Sequence, residues 1–394
     1  MLIGLVGKPS SGKSTFFQAI TSTVVERAAY PFTTIKPNRG VGYVEVECVD
    51  KEFNVQCNPR TGFCKNSRRF VPVELLDVAG LVPGAHEGKG LGNKFLDDLR
   101  QADILIHIVD ASGSTNEKGE AVSPGSHDPC ADIKFLEEEL NYWIMDIFNR
   151  NLNKLIREQN TKKLEEILSE QFAGLQISKE AISKTLKTLG LEEQKIEEWS
   201  EDEKLSFCRK LREFGKKIII AANKCDRPTA YENIKKMKEK YPEYFIMPCS
   251  AESEIALKEA AKKGFIEYIP GDQDFKVIRE LNEQQKKAME ILEEVIKTYS
   301  GTGVQKLLNS AVFEFLHYIA IFPGGVNKLS DSKGNVLPDV FLMPPNSTAL
   351  DFAFTLHTDM GKGFIKAVNV KTKQPVGKEY LLKNRDVIEI FFKK

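Results

Sequence analysis

Short unbroken runs of apolar residues alternate along the chain with longer stretches in which apolar positions recur every three or four residues. Residues 1–6 (MLIGLV) read as a buried strand, the run from Gly7 as a glycine-bearing turn, and residues 14–23 as a helix with Phe17 and Ile20 at helical spacing. Residues 71–77 and 104–110 are further short apolar strands, each ending in Asp, and 217–222 and 244–248 make two more. Strands alternating with helices predict an α/β class with a doubly wound, mostly parallel sheet.

About a hundred residues separate the strand ending at Asp110 from the one starting at Lys217, far more than a βαβ crossover needs. After a Gly, Ser and Pro stretch, residues 131–214 are rich in Glu, Lys and Leu, with Leu136, Leu140, Ile144 and Ile147 at helical spacing. This predicts an inserted helical subdomain over 113–214, the flanking segments 1–112 and 215–317 forming one domain. A long amphipathic helix over 277–298 is expected, then a turn at 301–303 and a second helix ending near Tyr318. From 318 to 394 the pattern changes to short β-type runs (340–343, 364–370, 387–392), with one helix-like stretch at 349–357, predicting a small α+β domain.

Composition narrows the class without naming a chemistry. At 394 residues the chain is too long for one core, and 41% hydrophobic with 28% charged residues is ordinary for a water-soluble globular protein. Fifty-six basic residues balance 56 acidic ones, so any attraction to a polyanion must be local. The insertion has 21 acidic against 15 basic residues, which disfavours nucleic acid there; the last segment has 11 basic against 7 acidic and is the better local candidate for touching RNA. Seven scattered cysteines fit reduced thiols in a cytosol, no apolar run reaches the roughly 20 residues of a membrane span, and the apolar start lacks a basic leader. The expected location is cytoplasmic, with no membrane partner.

Specific chemistry enters with GKPSSGKST, residues 7–15, which fits G-x-x-x-x-G-K-S/T. Gly7 and Gly12 let the backbone curl, so the N–H groups of Lys8, Pro9-flanking residues, Ser10, Ser11 and Thr15 can ring a polyphosphate at a helix N-terminus. Lys13 can then reach the β- and γ-phosphates, and the Ser14 hydroxyl can ligate Mg²⁺. Asp77 opens DVAG at the end of a predicted strand, where a nucleotidase needs a carboxylate near that metal. Asn223, Lys224 and Asp226, in NKCD after the apolar KKIIIAA, sit at the carboxyl edge of the predicted sheet. A carboxylate at 226 can accept from N1–H and the exocyclic amine of guanine, a donor pair adenine lacks. Cys249, Ser250 and Ala251 follow the next strand and can offer an amide to guanine O6.

These elements in order resemble the translation-factor-like GTPases. The strings YPFTTIKPN (30–38) and GLVPGAHEGKGLGNKFL (80–96) narrow this: the chain looks like the Obg-like GTPases, closest to the archaeal and eukaryotic branch related to YchF. That family carries a helical insertion and ends in a TGS domain, a ubiquitin-like β-grasp module, which ALDFAFTLHTDMGKGF (349–364) and KNRDVIEI (383–390) resemble. The resemblance implies that Thr34, rather than its neighbour Thr33, ligates Mg²⁺ when a γ-phosphate is present. It also implies catalytic roles for Lys13, Thr34 and Gly80, and a translation-related or ribosomal partner. A second switch holding Gly80, Gly84, Gly88, Gly90 and Gly92 is expected to be mobile.

Two departures matter. Leu81 stands where Ras-like GTPases carry a water-orienting Gln, so intrinsic hydrolysis should be slow or another group, with His86 a candidate, must place the water. Ser10 stands where the family often has a potassium-assisting Asn, which argues against potassium stimulation. The intact NKxD element sets the chain apart from the ATP-accepting YchF branch. Three readings follow: a Mg²⁺-dependent GTPase switch, a GTP- or GDP-gated binding module with negligible turnover, and an ATPase like YchF.

Cys57 and Cys64 bracket NPRTGF at a predicted hairpin tip, and with Cys48 they suggest zinc. Without a second C-x-x-C pair they fall short of four ligands, so no metal beyond Mg²⁺ is expected. His107 reads as a core histidine within a strand, and His357 as structural.

Overall fold

The computed structural model describes residues 1–23, 38–78 and 99–393. Thr33, Thr34, Gly80, Leu81, His86, Gly84, Gly88, Gly90 and Gly92 lie outside the described residues. Strands β1 (Leu2–Val6), β2 (Arg39–Glu47), β3 (Phe63–Lys65), β4 (Arg68–Asp77), β5 (Ile104–Asp110), β6 (Lys217–Asn223) and β7 (Ile246–Pro248) form one sheet in the order β2-β4-β1-β5-β6-β7, with β3 beside β4. From β4 to β7 neighbours run parallel, aligning Leu5 with Asp77 and Asp110 with Asn223. The carboxyl ends of β1, β4, β5 and β6 thus come out along one edge, and every residue of β1 and β5 is buried, as a sheet covered on both faces requires.

β2 is antiparallel to β4 and was not expected from the sequence. Gly40 and Gly42 punctuate it like a turn, but both lie where helix α1 (Lys13–Thr21) crosses the strand. A Cβ at 40 would meet Phe17 at 2.4 Å, and one at 42 would meet Ile20 at 2.5 Å. The glycines allow close approach rather than a bend.

The insertion consists of α2 (Pro129–Arg150), α3 (Leu152–Glu158), α4 (Leu164–Phe172), α5 (Lys179–Leu189) and α6 (Glu201–Gly215). Local signals start these helices: Asp128 accepts from the Cys130 amide with Pro129 at the first position of α2, and Ser200 and Glu203 make a reciprocal capping box at α6. Trp143, Phe148, Phe172, Trp199 and Phe207 are buried in one core with Leu2, Val6 and Leu105 of the sheet. The helical region therefore packs directly on the sheet.

Helices α7 (Ala230–Lys240) and α8 (Ala251–Lys262) follow β6 and β7. Residues 277–282 are not helical as expected: β9 (Lys276–Val277) pairs with β8 (Ile266–Glu267), and helix α9 runs only from Glu283 to Tyr299. Asn282 accepts from the Gln285 amide and the Gln285 side chain returns the bond, fixing the later start. α10 (Val304–Asn309) continues through a wide turn over Ser310–Phe315.

The last segment forms a separate mixed sheet, β11-β10-β14-β12-β13, from β10 (Ile319–Pro323), β11 (Phe341–Met343), β12 (Phe364–Asn369), β13 (Gln374–Val376) and β14 (Val387–Phe392). β10 and β14 run parallel, and helix α11 (Ala349–Leu356) buries Phe352 against them, a β-grasp arrangement. His357 caps the short helix Thr358–Lys362 by accepting from the Asp359 amide. Among the described residues no helix is long and apolar enough to cross a membrane.

Candidate functional site

The loop between β1 and α1 is shaped by backbone that side chains would obstruct. Gly12 has φ 91° and a Cβ there would stand 2.3 Å from Asn223 Nδ2, while a Cβ on Gly7 would stand 2.6 Å from the Ile108 carbonyl oxygen. Ser10 also takes a left-handed φ of 59°. The turn closes tightly: the Ser11 amide donates to Lys8 O at 3.4 Å and the Phe16 amide to Gly12 O at 2.8 Å. The first-turn amides of α1 point along the helix axis toward this hollow, with no side-chain cap using them.

Lys13 Nζ lies 2.5 Å from Asp77 Oδ1, so β4 and α1 bring together the lysine expected to reach phosphate and the carboxylate expected near a metal. Both side chains are largely shielded, at 12% and 22% exposure, which strengthens their mutual field. Ser14 is exposed on the first turn of α1. A hydroxyl and a carboxylate are hard oxygen donors, and this pair suits Mg²⁺.

Lys8 behaves differently from the expectation. Its side chain is 3% exposed and turns away to the insertion, donating to Thr115 O at 2.7 Å and pairing with Asp132 of α2 at 2.9 Å. His127 Nε2 meets the same carboxylate at 2.8 Å. Burial pushes the Asp132 carboxyl above its ordinary range, against the opposing pull of Lys8. What Lys8 can offer a phosphate is its backbone amide, and the side chain ties the loop to the helical region.

The NKCD residues brace the same loop. Asn223 is buried; its Nδ2 donates to Ser11 O at 3.1 Å and its Oδ1 accepts from the Ala251 amide at 3.2 Å. Lys224, at φ 61°, donates to Ser10 O at 3.0 Å and pairs with Asp110 Oδ2 at 2.8 Å. Asp226 accepts from Ser250 Oγ at 2.7 Å, which orients the carboxylate. Gly12, Thr15, Asn223, Lys224, Asp226 and Ala251, with Ser114, line a cavity of about 220 Å³. The amides expected to meet guanine O6 are used internally: Cys249 donates to Ala222 O, Ser250 to Thr302 O, and Ala251 to Asn223. Through these bonds Ser250 and Ala251 hold Asp226 and Asn223.

Asp110 is a bracing residue of this region that sequence reasoning passed over: it holds Lys224. Burial alone would raise its carboxyl, but hydrogen bonds from Lys224 and Ser112, with Thr115, outweigh this and hold it below the ordinary value. The signal was present as an Asp ending a strand before the hydroxyl-rich SGST. His107 is buried, and burial together with the Lys8 charge pushes its pKa down to about 3, so it stays neutral.

Comparison with known proteins adds three family matches in order along the chain. Residues 2–144 match the 50S ribosome-binding GTPase model, 221–325 the Obg-like GTPase YGR210-like, G4 motif-containing domain, and 333–392 the TGS domain. A GTP-binding protein of Methanocaldococcus jannaschii is 46% identical over 99% of this chain and 98% of its own length. The crystal structure of a GTP-binding protein from Pyrococcus horikoshii superposes with a TM-score of 0.77 at 36% identity, covering 100% of both chains. The ribosome-binding ATPase YchF of Bacillus subtilis is 28% identical over 99% of this chain and 98% of its own. The phosphate-loop geometry, the NKxD bracing and a C-terminal β-grasp module thus sit in one chain with an archaeal counterpart along its length, and the protein belongs to the Obg-like GTPases of the YGR210-like group, GTP-binding proteins related to YchF that end in a TGS domain.

Proposed function

We propose that this GTP-binding protein hydrolyses GTP to GDP and phosphate with slow intrinsic turnover, and that it reports its nucleotide state to the ribosome or a translation-related partner. The observation that carries the reading is the 2.5 Å approach of Lys13 to Asp77 beside the cavity lined by Asn223, Lys224 and Asp226. A phosphate entering the loop draws Lys13 away from Asp77, and the carboxylate is then left facing the metal side. Ser14 and Asp77 would hold Mg²⁺, with Thr34 as a third ligand, and the ion would supply charge neutralisation between the β- and γ-phosphates. The loop amides and Lys13 gather charge that grows on the γ-phosphate oxygens in the transition state. Asp226 selects guanine, its carboxylate presented by Ser250.

The ribosomal link rests on the 50S ribosome-binding GTPase family match and on the YchF relative, named a ribosome-binding ATPase. The TGS-like sheet, with its local excess of basic residues, is the surface through which RNA or a ribosomal protein would be met. Single-turnover hydrolysis measured with and without ribosomes tests the reading. Phosphate release above background in the presence of ribosomes supports it; none under either condition leaves a nucleotide-gated binding module. In the same material, ATP competing as strongly as GTP would place the chain with the ATP-using branch.

A further inference from the structure

Outside the nucleotide site, four side chains that the sequence leaves scattered converge at the far end of β2. Cys48 follows β2, Asp50 lies in the short 3₁₀ turn Val49–Lys51, Cys57 sits in the loop beyond it, and Cys64 is central in β3. Their ligand atoms, three Sγ and one carboxylate oxygen, all lie within 4.8 Å of one another. The fourth ligand that the cysteine spacing failed to supply is Asp50, which no cysteine pattern could reveal.

We infer that Cys48, Asp50, Cys57 and Cys64 form a closed tetrahedral site for one structural Zn²⁺. Bond lengths of about 2.3 Å to sulfur place tetrahedral ligands about 3.8 Å apart, so the group closes on an ion with shifts of no more than about 1 Å. Soft thiolates with one carboxylate select zinc over the hard cations, and ligands this close surround a single ion rather than a cluster of several metals. Charge points the same way. Asp50 is 2% exposed, and the neighbouring cations are committed elsewhere: Arg385 pairs with Glu47 and Glu52, and Lys371 with Glu52. Among the described residues no ion pair reaches Asp50, although a buried carboxylate beside three thiols calls for a cation. Its hydrogen bond from the Lys51 amide, at 2.8 Å, fixes the carboxylate in place as an outer partner of a metal ligand does. Cys48 and Cys57 are also buried, at 1% and 5% exposure, and Cys64 is half-buried, so the site lies largely out of solvent.

The ion would set the shape of residues 48–64, and that shape carries the C-terminal domain. The Asn58 amide donates to Val336 O and the Arg60 amide to Pro338 O, each at 2.8 Å, while Arg60 pairs with Asp339. Arg69, fully buried in β4 beside Cys64, donates to Leu337 O and Pro338 O at 3.0 and 2.7 Å. Zinc therefore acts as the pin of the junction between the nucleotide-binding and TGS domains, independently of how the nucleotide is processed.

The test is metal analysis of the full-length chain purified under reducing conditions without chelator, then stripped and titrated with Zn²⁺ or Co²⁺. Expected are about one zinc per chain, release of thiol protons on binding, and intense sulfur-to-cobalt charge-transfer and tetrahedral ligand-field bands with cobalt. Cys57→Ser and Asp50→Ala should each lower zinc affinity at least tenfold and expose residues 324–340 to protease, with GDP binding retained. Because the cysteine variant can misfold, alkylation of the unaltered protein gives a second readout: zinc should shield Cys48, Cys57 and Cys64 from iodoacetamide. The inference is overturned if folded, GDP-binding protein takes up no zinc or cobalt, if the variants bind as much as the parent, or if freshly isolated protein holds a disulfide within the trio.

Discussion

Replacing Asp226 by Asn isolates the base-reading contact from the fold. The carboxylate accepts from Ser250 Oγ at 2.7 Å, and Asn keeps an oxygen for that bond. The other partner, Arg227 at 3.4 Å, is 56% exposed and contributes at most about 1 kcal/mol. The melting temperature should therefore fall by less than about 4 °C. Toward guanine the loss is larger. Two hydrogen bonds to a charged acceptor disappear, at about 1.5–3 kcal/mol each, and the amide NH₂ then faces the guanine amine. GDP should bind roughly a hundred- to ten-thousandfold more weakly. Xanthine carries a carbonyl where guanine carries that amine, so the Asn amide can donate to it and XDP should become the preferred diphosphate. Fluorescent GDP displaced by unlabelled GDP and XDP gives both affinities on one preparation. An unchanged GDP-to-XDP ratio in a variant that melts normally would remove Asp226 from the base contact and with it the guanine assignment.

Lys13→Ala should weaken GTP binding roughly ten- to hundredfold by equilibrium titration, and GDP by less, since a charged hydrogen bond to the terminal phosphates is lost; equal losses for both nucleotides would contradict its placement. Lys8→Met should cost up to about 3–5 kcal/mol in denaturant unfolding, because it leaves the buried Asp132 without its lysine and with His127 as its remaining side-chain partner; adding Asp132→Asn should restore part of it, and strictly additive losses would show that the two do not act as a pair. Asp110 has a folded pKa below its ordinary 3.8, so its stabilisation is full above that value and fades as pH falls through the lower folded one; Asp110→Asn should flatten melting temperature against pH in the acid range, and a parallel curve would refute this.

The elements nearest the chemistry were legible because they are local. A curled loop needs Gly7 and Gly12, a helix N-terminus needs no distant partner, and β1, β5 and β6 are apolar runs too short for anything but strands. Family strings carried the β-grasp ending in the same way. Element starts were harder. Residues 277–282 keep helical spacing, yet the Asn282–Gln285 box and the β8–β9 pair begin the helix later. Gly40 and Gly42 hid β2 because their purpose, letting α1 cross, belongs to a contact across the fold.

By itself the sequence determined the GTP-binding family and the loop and NKCD motifs that the fold gathers at one sheet edge, since these depend on residue types at fixed short spacing. Tertiary structure alone decided where the remaining polar groups end up. It turned Lys8 from the phosphates to Asp132, spent the Ser250 and Ala251 amides within the protein, enlisted Asp110 to hold Lys224, and placed Asp50 among three thiols. The reason is that a buried charge or amide must find a partner wherever the packed chain offers one, and that partner is set by which strands lie side by side, not by the residues next to it in the chain.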